Sequence, residues 1–254
     1  MKLSTKREYI RVFSIISEIY KSQIFDYFPK MCYILAKRLK ESDGQLNSII
    51  SEAMGNMINN IFKNIEPYEA IKPLMAIIFN FFENFGHDQK FVQIGTAMCI
   101  SKIIQSSPVE CLIAISNRIL LKILESLNSP VCKAQSQLLE SLLSLILGIE
   151  DKFRELLPLC IPTLNECLTK EDYNVRKLAN DVIYTLGVLL PNFLKKFKKD
   201  LEINLTKCRF DKVKIVREAA LLAIGGMREE GEENEGGRIG IVKKGMPYVD
   251  IISC

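Results

Sequence analysis

Apolar residues recur at intervals of three and four along residues 1–227, with polar residues between them. This spacing is typical of amphipathic helices that each bury one face. Short clusters of Asp, Asn, Ser, Gly and Pro interrupt the pattern every 15 to 25 residues or so, which is close to the usual length of a helix plus a turn. No turn signal flanked by alternating strands is present. The pattern therefore predicts an all-α protein.

The pattern predicts one leading helix over 6–20, followed by five helix pairs that each fold around a short polar turn. The pairs are predicted at 27–40 with 46–62, 69–84 with 89–105, 109–127 with 131–147, 153–169 with 174–190, and 193–208 with 213–227. The leading helix resembles the second helix of a pair without its first. Either the chain begins within a repeat or this helix caps the stack.

The five pairs are similar to one another, which indicates an internal repeat. An apolar residue begins each second helix, and successive copies lie 46, 39, 44 and 41 residues apart: Leu46, Val92, Val131, Val175 and Val216. A polar residue suited to helix capping precedes each of them: Asp43, Asp88, Asn128, Asp172 and Asp211. In four pairs a small residue follows, which allows close helix packing: Gly95, Ala134, Ala179 and Ala219/Ala220. An arginine follows the apolar residue in the last two pairs, where earlier pairs have Asn47, Gln93 and Cys132.

This period and pattern resemble HEAT repeats, and the best copy is LPLCIPTLNECLTKEDYNVRKLANDVIYTLGVLLP at 157–191. The resemblance implies an α-solenoid of stacked antiparallel helix pairs with about five to six repeats, forming one domain over 1–227. Residues 228–254 differ, because five glutamates fall within seven positions and are followed by scattered glycines. That composition predicts a flexible Glu/Gly-rich tail.

Composition restricts the chemistry that we expect. The net charge is only +4, from 34 Lys plus Arg against 30 Asp plus Glu, which is too small to indicate nucleic-acid binding. The chain has one histidine, His87 in a predicted turn, and no tryptophan or catalytic sequence motif. Eight cysteines without a CxxC pair are typical of buried reduced thiols. We therefore expect a non-enzymatic cytoplasmic protein with no cofactor, no metal and no membrane insertion.

The turns within the pairs are the candidate binding surface, because in such a stack they all lie on one edge. The late turns are basic and polar, with Lys170, Tyr173, Asn174 and Arg176 at one and Arg209, Lys212, Lys214 and Arg217 at the next. A row of basic turns would complement an acidic protein surface. The alternative is ordinary solvated charge, which also describes the lysines at 195, 196, 198 and 199.

Three segments carry a closer resemblance: FPKMCYILAKRLKESDGQL at 28–46, FVQIGTAMCISKIIQSSP at 91–108 and CRFDKVKIVREAALLAI at 208–224. They resemble the TOG-like HEAT domain of the Tortifolia/Spiral family of microtubule-associated proteins. The resemblance implies binding to tubulin or the microtubule lattice through the turn edge, and a place on the cytoskeleton such as an axoneme or a cortical array. The residues it implies are Gln45, Gln89, Lys90, Lys170, Tyr173, Asn174, Lys212 and Lys214.

A second hypothesis stays open beside this one. The chain would be a generic HEAT-repeat scaffold or adaptor that binds a protein partner on its inner helix face. The two hypotheses differ in where exposed aromatic and basic residues should lie, on the turn edge or on the inner helices.

Overall fold

A computed structural model of the chain describes residues 2–41 and 44–227, and these residues form helices and turns without a β-strand. The all-α, paired-helix prediction is therefore confirmed. The chain divides into two compact units, Met1–Lys152 and Phe153–Cys254. The predicted tail at 228–254 and the predicted cap at Asp43 lie outside the described residues.

The first unit has two layers of helices. Its helices are α1 (Leu3–Tyr20), α2 (Phe28–Leu39), α3 (Asn47–Phe62), α4 (Pro67–Phe82), α5 (Lys90–Ser106), α6 (Val109–Asn128) and α7 (Gln135–Ile149). In one layer α3 packs against α1 and α5, and α5 packs against α7. In the other layer α4 packs against α2 and α6. Because α1 lies in the row of second helices, its predicted resemblance to a second helix is confirmed.

The second unit repeats this arrangement with α8 (Leu157–Cys167), α9 (Tyr173–Leu189), α10 (Pro191–Leu194), α11 (Lys198–Arg209) and α12 (Lys214–Gly225). Helix α9 packs against α12, and α8 packs against α11. The single helix predicted at 193–208 was wrong, because a 3-10 turn at Lys195–Phe197 separates α10 from α11. Lysines three and four positions apart repel each other on an α-helix, which opposes a continuous helix here.

Prolines mark where the first helix of each pair begins. Pro29, Pro67, Pro158 and Pro191 occupy the first two positions of their helices, and Pro108 stands just before α6. Proline is favoured there because its missing N–H would have no partner inside the helix. This sequence signal explains why the starts of the first helices are regular.

The contact between α3 and α5 depends on a glycine. A Cβ atom on Gly95 would lie 2.6 Å from Oδ1 of Asn47 and 2.8 Å from Cδ2 of Leu39. Any larger side chain would therefore push the two helices apart. The predicted role of Gly95 as a close-packing position agrees with this geometry.

The third pair differs from its prediction. Helix α7 begins at Gln135 instead of residue 131, and Val131 is 56% exposed whereas Ala134 is fully buried. The apolar residue that begins this helix is thus Ala134, and Gln135, not Cys132, follows it. With Ala134 in place of Val131 the spacing of the copies becomes 46, 42, 41 and 41 residues.

The predicted caps are partly correct. Asp172 caps α9, because its Oδ1 accepts the N–H of Asn174 at 2.9 Å. Asp211 accepts the N–H of Val213, just before α12, at 2.9 Å. The other two assignments were wrong: Asn128 is the last residue of α6, and the N–H of Gln89 is bonded by Nδ1 of His87 rather than by Asp88.

Candidate partner-binding surface

In the first unit, hydrogen bonds from the first turn of one second helix reach the next turn along the stack. The side-chain amide of Asn47 donates to the carbonyl of Phe91 at 2.8 Å. Nζ of Lys133 donates to the carbonyl of Asp88 at 2.6 Å. The turns of this unit therefore form one edge, as the sequence predicts for stacked pairs.

Gln93 is the central side chain of this edge and is buried. Its Nε2 lies within 3.0 Å of the carbonyls of Phe85, His87 and Val131, and its Oε1 accepts the N–H of Lys133 at 2.6 Å. A buried amide with these partners satisfies backbone groups that would otherwise lack them. It fixes the shape of two successive turns from the inside.

Arg176 has the equivalent role in the second unit. Its Nη1 donates to the carbonyls of Lys170 and Glu171 at 2.7 and 2.8 Å. Its Nε and Nη2 bind the two carboxylate oxygens of Asp211 at 2.7 and 3.0 Å. This charge-assisted hydrogen bonding by the guanidinium holds the pKa of Asp211 below its usual range.

Arg176 and Arg217 therefore do not belong to a basic binding surface. Arg217 occupies the same position one repeat later, and its Nη1 donates to the carbonyls of Asp211 and Lys212 at 2.8 and 3.2 Å. Both guanidinium groups point into their own turns. The sequence hypothesis that placed them among partner-facing residues was wrong.

The residues predicted at the binding edge lie on the turns. In the first unit Gln45, Gln89 and Lys90 are exposed. In the second unit Tyr173, Asn174, Lys212 and Lys214 are exposed and Lys170 is half-buried. Lys170 and Lys212 line one open groove between successive turns, together with Thr169 and Glu171. Lys214 lies to the side, where its Nζ is 3.4 Å from Glu218.

Sequence analysis missed two exposed residues on these edges. Lys133 supplies a basic residue to the third turn, which the misplaced start of α7 had hidden. Phe210 precedes Asp211 and is 76% exposed, with the guanidinium of Arg209 at 5.8 Å from its ring. Tyr173 and Phe210 thus give the edge of the second unit two aromatic side chains. No large apolar residue is exposed on α3, α5 or α7 in the described part of these helices.

The described residues place no group of three His, Cys, Asp or Glu side chains where it could hold a metal ion. His87 accepts a backbone N–H through Nδ1 at 3.2 Å, which is a structural role. Within the residues that the structure describes, no helix has the length and apolar character needed to cross a bilayer.

Comparison with known proteins identifies the family. The model of the family described as "TORTIFOLIA1 N-terminal" matches residues 1–229. The chain belongs to the TORTIFOLIA1 N-terminal family. One relative, TORTIFOLIA1-like protein 2 of Arabidopsis thaliana, is 27% identical over 88% of this chain and 27% of its own length. Another, the microtubule-associated protein TORTIFOLIA1 of the same plant, is 27% identical over 88% of the chain and 26% of its own length. The chain thus spans about a quarter of each of these two relatives.

Solved structures agree on the fold of the TORTIFOLIA1 N-terminal family member described here. An engineered protein matches 89% of the chain and 93% of its own length, with a TM-score of 0.57 and 19% identity. A designed armadillo repeat protein matches 89% of the chain and 95% of its own, with a TM-score of 0.54 and 15% identity. At this identity the likeness concerns the helical-repeat fold alone.

Proposed function

We propose that the chain binds the microtubule lattice or tubulin through its turn edge, without catalysis, and acts on the cytoskeleton in the cytoplasm. Membership of the TORTIFOLIA1 N-terminal family carries this proposal, because one relative is named a microtubule-associated protein. The proposal concerns this domain and takes its partner from that name.

The chemistry of the second unit's edge supports the proposal. Lys170 and Lys212 line one groove, and the aromatic side chains of Tyr173 and Phe210 are exposed beside the same turns. Lysines that attract an acidic surface, together with aromatic side chains that supply apolar contact, suit an anionic protein polymer. Their positions on turns whose backbone is held by buried side chains keep the surface rigid.

Co-sedimentation with microtubules across a salt series tests the proposal. The triple variant Lys170→Glu, Lys212→Glu and Lys214→Glu should bind about tenfold more weakly at low salt, because it replaces attraction by repulsion at the contact. The matched control reverses three exposed lysines away from these turns, Lys63→Glu, Lys72→Glu and Lys152→Glu. It changes the net charge equally and should bind much more tightly than the first variant. Failure of the wild-type chain to pellet at low salt would end the proposal.

The scaffold or adaptor hypothesis remains the second candidate because the first unit has an open groove between α1 and α3. The groove is lined by Arg7, Arg11 and Ile15 among others. If this groove were the binding surface, Ile15→Glu would abolish partner binding and the turn variant would leave it unchanged.

A further inference from the structure

Four lysines stand together where α10 meets α11, and the turn edge does not use them. They are Lys195, Lys196, Lys198 and Lys199, here called the lysine cluster. Lys196 and Lys199 are exposed and the other two are half-buried. No carboxylate within residues 2–41 and 44–227 forms an ion pair with any of the four. The cluster is therefore a concentrated positive charge without a counter-charge in the described part of the chain.

The lysine cluster lies at the opposite end of its helix from the turn edge. Helices α11 and α12 have 12 residues each and are joined by the turn that holds Asp211 and Lys212. Because they pack as an antiparallel pair of equal length, the start of α11 is level with the end of α12. Both ends lie about 18 Å from that turn.

A second contact places the end of α12 next to the segment that leads into the cluster. A Cβ atom on Gly187, near the end of α9, would lie 2.9 Å from the carbonyl oxygen of Gly226. From Gly187 the chain reaches Lys195 in eight residues, by way of α10. The chain that continues beyond Met227 therefore starts beside the lysine cluster.

The sequence that starts there is strongly acidic, with glutamates at 229, 230, 232, 233 and 235. These residues are two to eight positions beyond Met227, which spans up to roughly 7 to 28 Å of extended chain. A tethered segment this close has an effective concentration in the millimolar range or above. We infer that residues 229–235 bind the lysine cluster as an intramolecular acidic strap.

The strap also deepens the proposed function, on which this consequence rests. Bound glutamates neutralise four of the positive charges on the second unit, and they weaken its long-range attraction to an acidic polymer. Variants that lack the glutamates should then pellet with microtubules more strongly at low salt.

Carbodiimide cross-linking of the full chain, read by mass spectrometry, tests the strap without any partner. Glutamates 229–235 should cross-link to the lysine cluster and not to Lys170 or Lys212, which lie at the other end of the unit. Lysine acylation gives a second readout. Replacing the five glutamates by glutamine should raise the acylation rate of the cluster about threefold, a size expected for a few exposed ion pairs, and leave Lys170 and Lys212 unchanged.

Two results would overturn the strap. One is cluster acylation that is identical in the wild-type chain and the glutamine variant, with no cross-link to the cluster. The other is a cross-link that appears only as the protein concentration rises, which would assign the contact to a second copy. Loss of microtubule pelleting in the wild-type chain would refute the proposed function and leave the cross-linking result untouched.

Discussion

Replacing Arg176 by Met should destabilise the second unit strongly, and the structure allows the size to be worked out. The substitution removes two hydrogen bonds to backbone carbonyls and the ion pair with Asp211, in which each side chain is 10% exposed. Removing one partner from a fully buried pair costs about 3 to 5 kcal/mol. Asp211 keeps its bond from the N–H of Val213 and some water contact, so we expect a loss of about 2 to 3 kcal/mol.

Arg217→Met is the matched control, because Arg217 makes the same kind of bonds to two carbonyls. It forms no ion pair within the described residues, so its replacement should cost about 1 kcal/mol. Urea unfolding, with hydrogen exchange of the amides in α9 and α12, measures both losses. The difference between the two variants isolates the contribution of Asp211.

The same pair predicts a pH dependence. Arg176 lowers the pKa of Asp211 in the folded protein, so the ionised carboxylate stabilises the fold above its unfolded pKa of about 3.9. This stability is lost as the pH falls through the folded-state value. The wild-type chain should therefore exceed Asp211→Asn in stability at pH 7, and the two should converge near pH 2. Equal losses in the two arginine variants, or an asparagine effect independent of pH, would refute the reasoning.

Two further predictions concern packing and thiols. Gly95→Ala should lower the free energy of unfolding by about 1 to 3 kcal/mol because its methyl group collides with α3, whereas Gly86→Ala should be close to neutral because no atom lies within 4 Å of the added Cβ. Thermal melts of the two variants check this, and equal melting temperatures would contradict it. Burial raises the pKa of Cys160 to about 12, so at pH 8 a maleimide should label the half-buried Cys132 well before Cys160. Peptide mapping reads the order, and prior labelling of Cys160 would contradict the packing.

The helix pairs follow from local sequence because prolines start the first helices and apolar spacing continues them. The start of α7 does not follow. Asn128, Ser129 and Pro130 indicate a turn, and the apolar Val131 then suggests an immediate helix. In the structure Gln93, 38 residues earlier, bonds the carbonyl of Val131 and the N–H of Lys133. This contact between repeats keeps residues 131–133 out of the helix, and no local rule includes it.

The candidate site shows the same division. The turn positions and their exposure could be predicted, because charged residues beside helix caps usually face solvent. The inward direction of Arg176 could not, because the partner carboxylate belongs to the next repeat. The spacing of copies held one unused signal: choosing Ala134 makes the last three intervals 42, 41 and 41 and places Gln135 beside Gln93 and Arg176 in the repeat.

The inward-pointing Asn47, Gln93 and Arg176 have a consequence for how such a domain can evolve. They hold the backbone of the bends from behind, so the outward side chains have little part in folding. Selection can therefore exchange those outward residues one bend at a time, and alter which partner is recognised, while the architecture beneath stays intact.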